Sequence, residues 1–249
     1  MKYQDINASV IDSWIEEGWK WGQPIDHQIY MNALKGKWDV YLTPTKAVPH
    51  PWIGDLKDKC ILGLASGGAQ QMPIFSALGA KCTLLDYSTK QCESDRQFAL
   101  DEGYHIDILQ ADMSQPLPFE DETFDLIFHP VSNCYVEDVK SIFKECYRVL
   151  KKDGILLCGL DIGINYIVDE QGERIVNGLP FNPLKDEELY RLSIQNNDGI
   201  QFSHTLEEQI GGQLQAGFIL TDLYEDTNGE GRLHELHIPS FVSTKSIKK

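Results

Sequence analysis

The chain has 249 residues and a formal net charge of −16, with 42% hydrophobic and 24% charged residues. This composition is typical of one large globular domain, and the negative charge disfavours nucleic acid as a partner because proteins that bind phosphate backbones usually carry a basic face. No apolar run approaches the length of a membrane span, and the start of the chain lacks the apolar core of a signal peptide, so we expect a cytoplasmic protein.

Six cysteines are scattered through the chain without a C-x-x-C pair: Cys60, Cys82, Cys92, Cys134, Cys146 and Cys158. Several of them lie in apolar runs, where cysteine behaves as a small hydrophobic residue. We therefore expect neither a disulfide framework nor a metal site.

The first 56 residues form a polar, aromatic-rich segment that does not resemble a strand–helix repeat. Three tryptophans, Trp14, Trp19 and Trp21, lie within eight positions of one another. Two compatible interpretations are open: a helical flap that packs on the core, or a lid over a ligand, since aromatic side chains close pockets well. We assign residues 57–249 to the core domain.

The stretch Ile61–Asp86 predicts a strand, a glycine turn, a helix and a second strand. The apolar run Ile61–Leu64 is typical of a buried parallel strand, and the turn at Ser66–Gly68 bends the chain where a Cβ would obstruct a ligand. Apolar residues then recur at helical spacing up to Gly79, and the second strand ends on Asp86. Units of this kind bind nucleosides, because the acid accepts hydrogen bonds from ribose hydroxyls.

Strands and helices continue to alternate after Asp86, which predicts a mostly parallel sheet with helices on both faces. A capping box at Ser88 begins a helix that runs to Glu102, and a second, amphipathic helix covers 137–150. The predicted strands are His105–Leu109, Phe124–Phe128 and Ile155–Leu160, with a turn at Lys151–Gly154 before the last of them.

The alternation breaks at residues 161–203, which we interpret as an insertion near the carboxyl edge of the sheet. Another capping box begins a helix at Thr205 that ends at Gly217. The segments Phe218–Tyr224 and Glu235–Thr244 follow as strands without a helix between them. They predict an antiparallel pair that completes the sheet.

The glycine turn limits which nucleoside cofactor can bind. A dinucleotide oxidoreductase needs G-x-G-x-x-G with an acid about 20 residues further on. Asp86 fits this pattern, but Gly67 and Gly68 are adjacent and are flanked by Ala65 and Ala69. A cofactor without phosphates tolerates this looser turn, since it is a pyrophosphate that needs close approach of the backbone.

Two later groups follow the third and fourth strands and belong to the same sheet edge: Asp112 and the loop His129–Asn133. The motifs ILGLASGG, LLD ending at Asp86, QADM, FDLIFHPVSN and RVLKKDG-ILLCGL occur in this order. With them the sequence resembles the class I S-adenosylmethionine-dependent methyltransferases over about residues 57–160. The resemblance implies an α/β, Rossmann-like, doubly wound, mostly parallel seven-stranded sheet with an antiparallel final strand, and S-adenosylmethionine as cofactor.

The resemblance also implies that Asp86 holds the ribose hydroxyls and Asp112 the adenine amino group. The implied cofactor contacts are Ala65, Ser66, Gly67, Gly68, Asp86, Tyr87, Ser88, Gln91, Asp112, Met113, Pro130, Val131 and Ser132. The sequence departs from the family pattern at Gly63, where an acid is usual, and at Ala65 and Ala69, where glycine is usual. Either another residue anchors the methionine amino group, or the cofactor binds more weakly.

His129, directly after a strand, is a candidate general base because the pKa of histidine lies near neutral pH. The alternative is a structural histidine that is hydrogen-bonded at the strand end. The candidate acceptor contacts are Trp21, Tyr135, Asp161 and Tyr166.

The sequence therefore predicts methyl transfer to a small-molecule acceptor by a monomer or homodimer, without a nucleic-acid or membrane partner. The acceptor class rests on the net charge and on residues 161–203, whose Tyr166, Leu179 and Phe181 favour an enclosed apolar pocket. That segment could instead be a packed excursion without ligand contact. Three other functions are open: a tRNA or protein methyltransferase, a non-catalytic S-adenosylmethionine-binding protein and an NAD-dependent oxidoreductase.

Overall fold

A seven-stranded sheet forms the centre of the protein, in a computed structural model that describes residues 2–249. Its strands are β1 (Cys60–Leu64), β2 (Lys81–Asp86), β3 (Ile106–Gln110), β4 (Phe124–His129), β5 (Leu150–Asp161), β6 (Phe218–Asp226) and β7 (Phe241–Lys248). They are arranged in the order β3-β2-β1-β4-β5-β7-β6, and β7 runs antiparallel to both of its neighbours. The predicted fold class is confirmed.

The helices lie before the sheet, between its strands and in the late insertion. They are α1 (Tyr3–Glu16), α2 (His27–Ala33), α3 (His50–Ile53), α4 (Met72–Ala77), α5 (Thr89–Glu102), α6 (Val139–Val149), α7 (Ile164–Ile167), α8 (Glu187–Gln195), α9 (Leu206–Ala216) and α10 (Gly231–Glu235). Short 3₁₀ turns cover Lys20–Gly22, Asn133–Tyr135 and Pro183–Lys185.

Two hydrophobic cores lie on opposite faces of the sheet. Successive side chains of a strand point to opposite faces, so Leu62 packs in one core with Phe143 of α6, and Ile61 packs in the other with Phe75 of α4. All four side chains are fully buried. Burial on both faces is the reason that β1 has a continuous apolar sequence without alternation.

Side-chain capping contacts form at the starts of both predicted helices. The Ser88 hydroxyl accepts a hydrogen bond from the Gln91 amide at 3.1 Å at the start of α5, but the Ser88 amide donates to Oδ1 of Asp86 instead of to Gln91, so only half of the capping box predicted there is present. At the start of α9, the Thr205 hydroxyl accepts from the Glu208 amide at 3.1 Å. The Glu208 carboxylate accepts in return from the Thr205 amide at 2.9 Å, which completes the capping box.

Most strand boundaries differ from the prediction by a few residues, and the starts of β5 and β7 differ most. β5 begins at Leu150, opposite Phe124 of β4, and the residues predicted as a separate turn, Lys151–Gly154, form an irregularity within it. β7 begins only at Phe241, because residues 236–240 of the segment predicted as its first half form a turn and an irregular stretch after α10. Both errors arise where pairing with a neighbouring strand, rather than local sequence, decides where the strand begins.

The N-terminal segment packs against the sheet. Leu42, Val48, Trp52 and Ile53 belong to the same hydrophobic core as Ile61.

The insertion at residues 161–203 contains α7, the turn at Pro183–Lys185 and α8. This is more regular structure than its sequence pattern predicts.

Candidate active site

A cavity lies at the carboxyl ends of the central strands, where open α/β sheets bind ligands, and α1 forms part of its wall. Its volume is about 460 Å³, within the range of roughly 300–1,000 Å³ that is common for small-molecule sites. Apart from Gly68 and His129, every predicted site residue lines it: Trp21, Ala65, Ser66, Gly67, Asp86, Tyr87, Ser88, Gln91, Asp112, Met113, Pro130, Val131, Ser132, Tyr135, Asp161 and Tyr166.

The turn after β1 holds three residues in the left-handed region, namely Ala65 at φ 47°, Gly68 at φ 94° and Ala69 at φ 54°. This region costs a non-glycine residue about 1–2 kcal/mol, so the contacts around the turn must offset strain at both alanines. Gly67 has no such φ, but a Cβ there would lie only 2.9 Å from Oδ2 of Asp86. A side chain at position 67 would therefore displace the carboxylate.

The position of the missing first-strand acid is filled by a neighbouring side chain. A Cβ at Gly63 would lie 2.8 Å from both Cε and Sδ of Met72, which is fully buried in α4. An acidic side chain at position 63 would collide with this methionine. The departure from the family pattern at Gly63 is therefore matched by the packing of Met72.

Asp86 ends β2 with its carboxylate buried at the cavity wall. Its Oδ2 accepts a hydrogen bond from the Gly67 amide and its Oδ1 accepts one from the Ser88 amide, both at 3.0 Å. Burial raises the pKa of this carboxyl to about 6, although the backbone hydrogen bonds partly oppose the shift. A carboxylate has about four lone-pair sites, so Asp86 keeps acceptor capacity for a ligand.

Asp95 is a second buried acid at the turn, and the sequence prediction missed it. Its Oδ2 accepts a hydrogen bond from the Ala69 amide at 2.8 Å, while its Oδ1 is buried without a partner in the described chain. Burial raises the pKa of Asp95 to about 7, and the nearby charge of Asp86 acts in the same direction. One signal in the sequence could have indicated Asp95. It lies four residues after Gln91, a predicted cofactor contact, and therefore on the same face of α5.

The raised pKa of Asp95 predicts a loss of stability as the pH rises. In the folded protein this carboxyl keeps its proton up to about pH 7, whereas the unfolded chain releases it near the ordinary value of 3.8. The folded state binds more protons between these values, so its free energy of unfolding declines with rising pH, by up to about 4 kcal/mol. In Asp95→Asn this decline is expected to be smaller, as measured by urea unfolding at pH 5 and pH 8; equal declines in both proteins would contradict the assignment.

Asp112 and Met113 follow β3 and line the cavity on the side of Tyr87. The Asp112 carboxylate is half-buried, and its Oδ1 accepts a hydrogen bond from the Ser114 amide at 2.8 Å. Met113 is buried and belongs to one of the two hydrophobic cores. The two residues thus place a polar and an apolar surface next to each other.

His129 is fully buried at the end of β4 and does not line the cavity. Its Nδ1 lies 2.8 Å from the Leu64 carbonyl oxygen, and its Nε2 lies 2.7 Å from Oδ1 of Asn133. Burial lowers the pKa of the ring, and these two hydrogen bonds only partly oppose the shift. This geometry favours the structural interpretation of His129, since both ring nitrogens are occupied by protein groups.

Helix α1 crosses the cavity and contacts the chain after β2. Its Asp5 carboxylate accepts a hydrogen bond from the Tyr87 hydroxyl at 2.8 Å, and its Asp12 carboxylate accepts one from the Ser88 hydroxyl at 2.5 Å. The Asn7 side chain forms two hydrogen bonds with the backbone of Ile200. Its Nδ2 donates to the Ile200 carbonyl oxygen at 2.9 Å, and its Oδ1 accepts from the Ile200 amide at 2.6 Å. The cavity-lining residues Gln4, Asn7, Ala8 and Ile11 recur at helical spacing, a signal that their mixed polarity concealed.

The other flank of the cavity combines one acid with aromatic side chains. Asp161 ends β5, where its Oδ1 accepts from the Gly163 amide at 2.6 Å and its Oδ2 accepts from Nδ2 of Asn165 at 2.8 Å. Burial raises the pKa of Asp161 to about 6 against the effect of these hydrogen bonds. The Tyr166 ring stacks on Phe181 with 5.2 Å between the ring centres.

Comparison of the sequence with known proteins identifies similar methyltransferases. A family model described as a methyltransferase domain matches residues 62–158. YbaJ, an uncharacterized methyltransferase of Bacillus subtilis strain 168, is 38% identical over 249 residues, and the match covers 97% of each chain. The chain belongs to the S-adenosylmethionine-dependent methyltransferase family. The resemblance that the motifs indicated is confirmed.

Solved structures share the fold of this methyltransferase. An S-adenosylmethionine-dependent methyltransferase from Mesorhizobium loti is 18% identical with a TM-score of 0.61, covering 80% of this chain and 94% of its own. A Burkholderia thailandensis 1,6-didemethyltoxoflavin-N1-methyltransferase with bound 1,6-didemethyltoxoflavin and S-adenosylhomocysteine is 13% identical with a TM-score of 0.60, covering 99% and 89%. Within residues 2–249, no helix of the methyltransferase combines the length and apolarity needed to span a membrane.

Proposed function

We propose that this methyltransferase binds S-adenosylmethionine at the Asp86 side of the cavity and a small-molecule methyl acceptor at the Asp161 side. The proposal rests on one observation above all: a single cavity joins the two sides beneath α1. The two acids end β2 and β5, which are three strand spacings apart in the sheet, or roughly 14 Å. This separation leaves room for two ligands placed side by side.

The residues on the Asp86 side fit the cofactor. Asp86 is buried, its two hydrogen bonds come from backbone amides, and it keeps acceptor sites for the ribose hydroxyls. Gly67 brings the backbone close to this carboxylate where a side chain would obstruct it. Asp112 would accept from the adenine amino group, and Met113 would pack beside the adenine ring.

The chemistry divides simply between cofactor and protein. When bound, S-adenosylmethionine supplies a methyl group that its sulfonium already activates. The chain's own residues hold the acceptor in line at close range, which can contribute several kcal/mol to lowering the barrier. His129 is unsuited to remove a proton from the acceptor, because both of its ring nitrogens bond protein groups.

The small size of the acceptor is supported by enclosure and by charge. Helix α1 and the insertion both contribute lining residues, including Asn7 from the first and Tyr166 from the second. The charged side chains of the lining are Asp86, Asp112 and Asp161, without a lysine, arginine or histidine among the described residues. This surface suits neither a phosphate backbone nor a long polymer.

The proposal is tested by supplying labelled S-adenosylmethionine to total RNA, to total protein and to a small-metabolite extract in parallel. We expect label to enter the metabolite fraction. Incorporation into RNA alone, or into protein alone, would contradict the small-molecule acceptor and support the corresponding macromolecular alternative.

A related prediction concerns α1 as a cover for the cofactor. Its contacts with Tyr87 and Ser88 join it to the chain that follows Asp86, so ligand binding there should stabilise the closed helix. We expect backbone amides of residues 3–16 to exchange more slowly with S-adenosylhomocysteine present, measured by hydrogen exchange, with α6 as the internal reference. Equal exchange of α1 in both states would contradict a cover that responds to the cofactor.

A further inference from the structure

The acceptor side of the cavity has an acid without a cationic partner. Asp161 is 9% exposed and forms no ion pair among the described residues, and its two bonded neighbours, the Gly163 amide and the Asn165 side chain, are neutral. Two of its lone-pair sites are occupied, so the carboxylate can accept further hydrogen bonds from the cavity. A buried carboxylate is costly unless a positive charge or several donors compensate it.

Three aromatic residues line the same cavity as this carboxylate. Phe241 of β7 is paired directly with Asp161 across the sheet, and its side chain lines the cavity. Tyr135 and Tyr166 also line the cavity. Burial raises the pKa of both hydroxyls, and the negative charge of Asp161 acts in the same direction. A cation bound here would be attracted by the negative charge of the carboxylate and by cation–π interactions with the aromatic rings.

An anionic acceptor would be repelled by the charges that line the cavity. The described lining presents carboxylates at Asp86, Asp112 and Asp161 and offers no cationic side chain to neutralise a carboxylate or phosphate group. Like charges in a partly buried site repel each other, and solvent screens this repulsion less than it would on the surface. A neutral acceptor would leave the buried Asp161 charge uncompensated.

We infer that the methyl acceptor carries a protonated amine, which Asp161 binds through its free carboxylate sites while Tyr135, Tyr166 and Phe241 enclose it. This inference rests on the proposed function, since it assigns the chemical class of the ligand that occupies the acceptor side. It concerns recognition of the amine and is separate from the choice of the atom that receives the methyl group.

The test is calorimetric binding of matched triplets to the protein saturated with S-adenosylhomocysteine. Each triplet contains an amine, an alcohol and a carboxylate on one carbon skeleton, beginning with 2-phenylethylamine, 2-phenylethanol and phenylacetate and extending to alkyl and heteroaromatic skeletons. We expect the bound members to be amines, with affinities about tenfold or more above those of their alcohols, because a hydrogen bond to a charged group is worth 1.5–3 kcal/mol. Asp161→Asn, which keeps the side-chain shape, should remove this preference.

Asp198→Asn is the matched control, since Asp198 is an exposed acid of the same insertion and lies outside the cavity. It should keep the amine preference. Alcohols or carboxylates that bind as well as amines, an amine panel without any binder, or an unchanged preference in Asp161→Asn would each overturn the inference. Loss of S-adenosylhomocysteine affinity in Asp161→Asn without any amine preference in the wild type would overturn it too, by assigning Asp161 to the cofactor's own amino group. Failure of the wild type to bind S-adenosylhomocysteine would instead reject the proposed function.

Discussion

Replacing Asp86 with alanine is expected to weaken binding of S-adenosylmethionine by roughly ten- to a hundredfold. The substitution removes a charged acceptor from the ribose hydroxyls, which is worth about 1.5–3 kcal/mol. It also leaves the Gly67 and Ser88 amides without the carboxylate that now accepts from them, so the glycine turn loses its support. Isothermal calorimetry on the folded variant, checked by circular dichroism, measures the effect.

Asp107→Ala is the control for this substitution. Asp107 lies on β3, the strand next to β2, and its side chain is 67% exposed and outside the cavity. Its removal changes the net charge by the same amount as Asp86→Ala, so we expect cofactor affinity within about twofold of the wild type. Similar affinities for both variants and the wild type would contradict the assignment of Asp86.

Replacing Gly159 with alanine is expected to lower the free energy of unfolding by about 3 kcal/mol. A Cβ at Gly159 in β5 would overlap the carbonyl oxygen of Leu42 and lie 3.0 Å from the Val131 amide nitrogen. These are backbone atoms joined by a hydrogen bond of 3.2 Å, so they cannot rotate away as a side chain would. Urea denaturation gives the magnitude.

Gly211→Ala provides the matched comparison for Gly159→Ala. Gly211 lies inside α9, where a Cβ would meet only Cγ of Glu207 at 3.6 Å. Alanine has the higher helix propensity, so this variant should be more stable than the wild type by up to about 1 kcal/mol. If both substitutions had the same effect, close backbone packing at Gly159 would not be the cause.

Much of the fold, and the grouping of Asp86 with the glycine turn at one cavity, could be predicted because local signals determine them. The capping contacts of Ser88 and Thr205 each lie within three residues along the chain. Asp86 could be found because a strand, a glycine turn, a helix and a strand occur within one short stretch of sequence. Such a unit fixes where its final acid lies, whatever the remainder of the chain does.

The residues that were missed depend on contacts between distant parts of the chain. Asp95 meets the Ala69 amide 26 residues away, and only burial distinguishes it from an ordinary helix acid. Asn7 meets Ile200 across 193 residues, and no local sequence pattern predicts a contact between segments so far apart. For His129, the strand-end position was correct, but the two hydrogen bonds that occupy its ring are visible only in the fold.

The central claim, that the cavity beside Asp86 is a site for S-adenosylmethionine, is tested most directly by titrating the wild-type protein with S-adenosylhomocysteine and, separately, with NAD. We predict saturable binding of one S-adenosylhomocysteine per chain and no binding of NAD, because the turn at Gly67 and Gly68 lacks the glycine spacing that a pyrophosphate needs. Binding of NAD without binding of S-adenosylhomocysteine would contradict the account.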